Sequence, residues 1–239
     1  MIPKILHYVW VGGPLPAYQR SFIDTWITTN PSYEIMVWNE DTIDFSEPFL
    51  WNAFESGKWA TVADVVRLMA VAQHGGIYLD TDVKILAPLD PALVHKCFFA
   101  FQQKERFPEW IGNAVFGAEP GHPFIHDALA RLLKIKRPLF GIEHPPTYGP
   151  RHITGLLMER GLSEYSPDGV LIDDVFIYPT PVFYPYHWTE RLTDDMIKAE
   201  TLGIHVWADT PSWIKTLHPI LRVVYASRRS VRAVLNRLS

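Results

Sequence analysis

Two aspartates two residues apart, in Leu79-Asp80-Thr81-Asp82, follow directly on the apolar run Ile77-Tyr78-Leu79. Side chains alternate along an extended chain, so both carboxylates project to one side if strand geometry persists. Like charges at a buried strand end are costly, and a divalent cation is the simplest way to neutralise them. The plainer reading is a solvated turn, and the tripeptide alone leaves the two even. A second polar pair lies upstream. Asp64 and Arg67 are three apart and share a helix face, with Val62, Val65, Val66, Leu68 and Met69 around them. Polar groups on an otherwise apolar helix suggest a site; otherwise they make an intrahelical ion pair worth about 0.3 kcal/mol.

The elements that position these groups are legible from period and punctuation. A helix is expected over about Ala60 to His74, closed by Gly75-Gly76, with a strand, Ile77 to Leu79, running straight into the aspartates. Upstream, Ile5 to Val11 reads as a buried first strand ended by Gly12-Gly13-Pro14. A helix follows from Tyr18 to Thr28, with Phe22, Ile23, Trp26 and Ile27 on one stripe, stopped by Asn30-Pro31. Glu34 to Trp38 is a second strand, so the chain opens β-α-β, the start of a parallel sheet with helices on its faces. Ligands bind at the carboxyl ends of such strands. Residues 40–58, with Phe45, Phe49, Leu50, Trp51 and Phe54, read as an insertion over the sheet. Cys97 to Phe101 and Ala114 to Phe116 are further strands, and Pro123 to Lys134 a further helix. Tyr178 to Pro185 reads as an extended aromatic segment suited to a cleft wall.

Composition narrows the function. The 239 residues, 48% hydrophobic and 13% aromatic, can bury one large core, which excludes a mostly disordered chain. A net charge of −4 gives no cationic field for nucleic acid, so none is expected as a partner. Cys97 is the only cysteine, which rules out an internal disulfide and a thiolate zinc cluster and suits a reducing compartment. With no signal-peptide pattern and no run of about 18 apolar residues, a cytoplasmic protein is expected.

Several blocks together are specific: Ile2-Pro3-Lys4-Ile5-Leu6-His7-Tyr8-Val9-Trp10-Val11-Gly12-Gly13, Ala63-Asp64-Val65-Val66-Arg67, Gly75-Gly76-Ile77-Tyr78-Leu79-Asp80-Thr81-Asp82, His205-Val206-Trp207 and Ser212-Trp213. The sequence resembles glycosyltransferase family 32, DXD-containing sugar transferases that include initiating mannosyltransferase-like and capsular polysaccharide enzymes and, more distantly, the glucosylating clostridial toxins. The likeness runs from residue 2 to about 213. It implies an α/β fold of the GT-A, nucleotide-sugar-binding type, with a mostly parallel central sheet flanked by helices over residues 1–215.

The resemblance also assigns roles. Val9 and Trp10 match the segment that meets the donor base, Trp10 by stacking; a core tryptophan is the alternative. Asp64 and Arg67 match the pair that holds the donor ribose and sugar. Asp80 would reach ribose or sugar hydroxyls and the metal, Asp82 would bind the metal directly, and Asn113 matches a position beside the donor sugar, a buried turn asparagine being the even alternative. His205 is the expected third metal ligand. An imidazole with carboxylates and phosphate oxygens favours Mn²⁺ over Mg²⁺. Ser212 and Trp213 match a closing segment on the diphosphate. Tyr148-Gly149-Pro150 replaces the usual Thr-Gly-Pro before Ile153-Thr154, which leaves Tyr148 without a transferred role. The expected reaction is retaining transfer of a hexose from a nucleotide sugar, UDP-linked first and GDP-mannose second, to a saccharide or lipid-linked acceptor.

Residues 216–239 form an expected basic amphipathic helix. From Thr210 onward no acidic residue occurs, while Lys215, Arg222, Arg228, Arg229, Arg232 and Arg237 are cationic. Such a helix suits either the inner face of an anionic membrane or the protein core. Tyr178, Phe183, Tyr184, Tyr186 and Trp188 suit either stacking on acceptor sugars or core filling. Two rival readings remain. Leu79 to Val83 with Leu171-Ile172-Asp173-Asp174 resembles a haloacid-dehalogenase-type phosphatase, which leaves Asp64, Arg67 and His205 unexplained. A non-catalytic carbohydrate- or membrane-binding protein would have no need of a carboxylate–histidine set.

Overall fold

A computed structural model describes residues 1–135, 148–188 and 190–207. The elements are β1 (Ile5–Val9), α1 (Ala17–Thr29), β2 (Glu34–Trp38), α2 (Pro48–Glu55), α3 (Trp59–His74), β3 (Gly76–Leu79), β4 (Val83–Ile85), β5 (Cys97–Phe101), β6 (Ile111–Ala118), α4 (Pro123–Leu132), α5 (Pro150–Glu159), β7 (Val170–Ile172), β8 (Val175–Tyr178), α6 (Thr180–Phe183) and β9 (Gly203–His205).

Seven strands form one sheet in the order β2-β1-β3-β6-β5-β8-β7. From the pairings, β1, β2, β3, β5 and β8 run one way while β6 and β7 run against them, so the sheet is mixed and mostly parallel. The central strands β3, β5 and β6 bury both faces. Along β5, Cys97, Phe99 and Phe101 enter one core with α3, α4 and α5, while Phe98 and Ala100 enter the other beside residues of α1 and α6. Between β1 and β3 the strand order reverses, and this is where an open α/β sheet leaves a crevice at its carboxyl ends. β4 and β9 form a separate two-stranded sheet.

The α3–β3 corner is tight. Gly75 ends α3 at φ +65°, and a Cβ there would lie 2.6 to 2.9 Å from atoms of Pro120 and Pro3, so only glycine fits. Two expectations change. Residues 48–55 are a helix, α2, because Pro48 starts it and Leu50 and Ala53 reach the core that α3 also enters. Tyr178–Pro185 is not continuously extended, since Thr180–Phe183 is a helical turn with Phe183 and Tyr184 buried. Residues 208–239, with the expected C-terminal helix and the end of the 1–215 unit, lie outside the described residues.

His7, fully buried in β1, sits under this corner. Its Nε2 lies 2.7 Å from the Gly75 carbonyl, and its Nδ1 accepts from Trp38 Nε1 at 3.2 Å. A carbonyl only accepts and an indole N–H only donates, so the neutral ring with its proton on Nε2 satisfies both. Burial pulls His7 down to about 4, against the pull of the Gly75 carbonyl. The unfolded ring takes its proton first, near pH 6.5. Stability is therefore full above that pH and falls as pH drops toward 4, by up to about 3 kcal/mol. Urea unfolding at pH 7 and 4.5 should show His7→Gln with a smaller pH loss than the native chain; an unchanged loss would refute this account.

Candidate active site

The charged residues gather at the carboxyl end of β3, where α3, β6 and β9 approach it. Strand geometry ends at Leu79, and Val83 N–H bonds to the Asp80 carbonyl at 3.0 Å to close a turn. The turn, rather than strand alternation, brings the two carboxylates to one side. β4 then pairs antiparallel with β9, placing Val83 opposite His205, and Val206 N–H bonds to the Asp82 carbonyl at 2.9 Å. This register carries His205 to Asp82, Nε2 to Oδ1 at 3.2 Å.

Arg67 projects from α3 into the same space, 6% exposed. Its guanidinium lies 3.2 Å from Asp80 Oδ1 and 3.3 Å from Asp64 Oδ1, and donates to the Asn113 carbonyl at 2.7 Å. It also stacks over the Tyr78 ring at 4.6 Å, and Tyr78 donates its hydroxyl to Asp80 at 2.8 Å. Asn113 Nδ2 donates to Asp64 at 2.9 Å. Asn113 reaches this point because β6 bulges: β5 pairs Phe98 with Gly117 but Ala100 with Gly112, so residues 113–116 stand opposite Phe99 alone.

Charge does not balance in this cleft. Asp64, Asp80 and Asp82 face one guanidinium. Burial pushes Asp64 up to about 6, against the pull of Arg67. Burial alone would lower His205, but the Asp82 carboxylate outweighs it and the ring is held above its usual range. A divalent cation fits this donor set. One ligand atom from each of Asp80, Asp82 and His205 lies within 4.8 Å of the others, and cis ligands of an octahedral ion with bonds of ~2.1 Å lie about 3 Å apart.

Comparisons with known proteins bear on the family and the fold. The sequence model of the glycosyltransferase sugar-binding region containing a DXD motif matches residues 16–99. An uncharacterised glycosyltransferase, L373, of Acanthamoeba polyphaga mimivirus is 32% identical over 206 residues, covering 81% of this chain and 80% of its own length. The chain belongs to glycosyltransferase family 32. Inositol phosphoceramide mannosyltransferase 3 of Schizosaccharomyces pombe is 32% identical over 140 residues, 55% of this chain. The chain spans 37% of that relative's length. Among solved structures, the PaToxG glycosyltransferase superposes with a TM-score of 0.53 at 18% identity, covering 66% of this chain and 69% of its own. The fold is of the GT-A type.

Within this family 32 chain the expected residues are placed as follows. Asp64, Arg67, Asp80, Asp82, Asn113 and His205 converge in one cleft. Trp10 directly follows β1, its Nε1 donating to the Gly13 carbonyl at 2.8 Å and its body packed on the second core. The Val9 side chain packs in the first core at 6% exposure. Ser212 and Trp213 lie outside the described residues. Phe183 and Tyr184 are core residues, because burial leaves no face for a sugar. Two participants escaped notice. Tyr78 carries a period-two signal, lying two before Asp80. Gly149, at the start of α5, carries none: a Cβ there would lie 2.7 Å from Asn113 Nδ2 and 3.0 Å from Asp64 Oδ1.

Removing Arg67 leaves buried carboxylates uncompensated, which costs about 3 kcal/mol or more. Asp64 is raised, so its buried charge destabilises the fold at pH 7, and that penalty lifts as pH falls through about 6. Arg67→Met should therefore lower the urea midpoint strongly at pH 7 and less at pH 5. Equal losses at both pH values would show that charge imbalance is not the cause.

Proposed function

We propose that the protein is a metal-dependent, retaining glycosyltransferase that moves a hexose from a nucleotide sugar to a saccharide or lipid-linked acceptor. The observation that carries this reading is the Asp80–Asp82–His205 group at the carboxyl end of β3, beside the Arg67–Asp64–Asn113 network. Asp82 and His205, with Asp80, hold a divalent ion, Mn²⁺ before Mg²⁺ by donor type. Bound there, it supplies Lewis-acid stabilisation of the charge that grows on a departing diphosphate.

The chain's own residues do the rest. Trp10 offers a ring to the base; Asp64, Arg67 and Asn113 orient ribose and sugar hydroxyls; Ser212 and Trp213 close on the diphosphate. Each cleft carboxylate has a partner: Asp64 has Arg67 and Asn113, Asp80 has Arg67 and Tyr78, Asp82 has His205. That engagement favours same-face attack over a glycosyl-enzyme ester. In this route the bond from the anomeric carbon to phosphate oxygen breaks, the acceptor oxygen bonds to that carbon, and its proton passes to a departing phosphate oxygen.

The fission-yeast relative is by name a mannosyltransferase acting on inositol phosphoceramide. Its name supports mannose as the sugar moved and a phosphorylated lipid as acceptor, while the cleft residues are equally suited to other hexoses carried on UDP or GDP. An acceptor of that kind suits a chain at a membrane surface, held there by the basic residues of 216–239 on the inner face. Among the described residues no helix is long and apolar enough to cross a membrane. The phosphatase alternative loses support because Asp173 and Asp174 pair with Arg160 and His122 instead of joining Asp80.

Hydrolysis of UDP-hexoses and GDP-mannose with Mn²⁺, and after chelation, tests the reading. One donor should be consumed only with metal, and Asp82→Ala should lower the rate by about 10²-fold or more. Full turnover after chelation, or by Asp82→Ala, would remove the proposal. Proton NMR of the first product should show retained anomeric configuration, and inversion would sink the same-face route.

A further inference from the structure

His205 is oriented in an unusual way. A metal-ligating imidazole ordinarily donates its second N–H to a carboxylate, a carbonyl or water, which fixes the ring. Here His205 Nδ1 is buried and makes no hydrogen bond among the described residues. Two aromatic rings enclose the imidazole instead. Trp207 lies against it with ring centres 4.1 Å apart, and Tyr184 meets it edge-on at 5.6 Å and 88°.

Both rings are fixed from elsewhere. Trp207 donates its indole N–H to the Tyr186 carbonyl at 3.1 Å and holds φ +54°, a conformation that costs a bulky residue about 1–3 kcal/mol. Tyr184, 1% exposed, accepts at its hydroxyl from the backbone N–H groups of Ala114 and Val115 at 3.2 and 3.3 Å. Those donors lie in the β6 bulge, directly after Asn113. The neighbouring Gly112 leaves the room this ring needs, since a Cβ there would lie 2.3 Å from Tyr184.

We infer that Trp207 and Tyr184 are positioning residues that replace the missing hydrogen bond, holding His205 toward Asp82 by ring contact and tying it to the Asn113 bulge. The inference rests on the metal reading above. A merely structural role for these rings would change stability without changing cation affinity.

The test is titration of the full chain with Mn²⁺ alone, following the free-ion signal by electron paramagnetic resonance, with melting temperature recorded for each variant. Trp207→Leu and Tyr184→Leu should each weaken Mn²⁺ binding about tenfold, while Tyr184→Phe, which keeps the ring contact and loses only the hydroxyl tie to the bulge, should fall between native and Tyr184→Leu; a Tyr184→Phe affinity as low as that of Tyr184→Leu would overturn the ring contact as the cause. If leucine prevents folding, Trp207→Phe gives the contrast, with a several-fold loss expected and native affinity overturning the inference. Asp82→Ala separates the two levels. Loss of Mn²⁺ binding in Asp82→Ala with native affinity in folded leucine variants overturns the ring clamp alone. Native affinity in Asp82→Ala overturns the metal reading, and the clamp with it.

Discussion

Three carboxylates share a cleft with one guanidinium, and the arrangement of the surrounding elements follows from accommodating that imbalance. Arg67 can serve two of the carboxylates because α3 brings it beneath the carboxyl end of β3, while the β6 bulge presents the Asn113 carbonyl and α3 the Ala63 carbonyl to its other donors. Asp64 is satisfied from its own helix and from Asn113. Asp82, farthest from Arg67 in the chain, depends on His205. The edge that faces β9 thus brings Asp80, Asp82 and an imidazole together, the donor set where a small, doubly charged ligand gains the most.

Bringing His205 there requires the two-stranded β4–β9 sheet, and that sheet is itself held by the main fold. Trp26, fully buried in α1, donates its indole N–H to the Val83 carbonyl at 2.7 Å, so the first helix supports the strand after the aspartates. The β6 bulge serves both sides of the cleft. It releases Asn113 toward Asp64, and its free N–H groups meet the Tyr184 hydroxyl below His205. Core packing, backbone irregularity and charge placement therefore act as one construction.

The sequence made some of this plain. Asp64 and Arg67 were visible because two charges on an apolar helix violate its pattern, and the aspartate pair because it interrupts a buried strand. The first strands and α3 carry clear periodicity and glycine stops. Residues 48–55 were less legible, since turn formers around Pro48 obscured a short helix whose stability comes from contact with the core beside α3. The aromatic stretch after Tyr178 misled for a similar reason: proline spacing suggested an extended wall, while burial of Phe183 and Tyr184 curls it into a helical turn. Gly149 and the β6 bulge left no sequence signal, because both are defined by what approaches them in space. His205 came from family likeness; three residues of β9 are too few to predict their pairing with β4.

The most direct test of the central claim is anomalous diffraction at the manganese edge from crystals grown with Mn²⁺ and a nucleoside diphosphate. The account predicts one strong peak within about 2.5 Å of an Asp82 carboxylate oxygen and of His205 Nε2, with diphosphate oxygens completing the shell. A nucleotide seated in the β1–β3 crevice with no peak at those residues would contradict it.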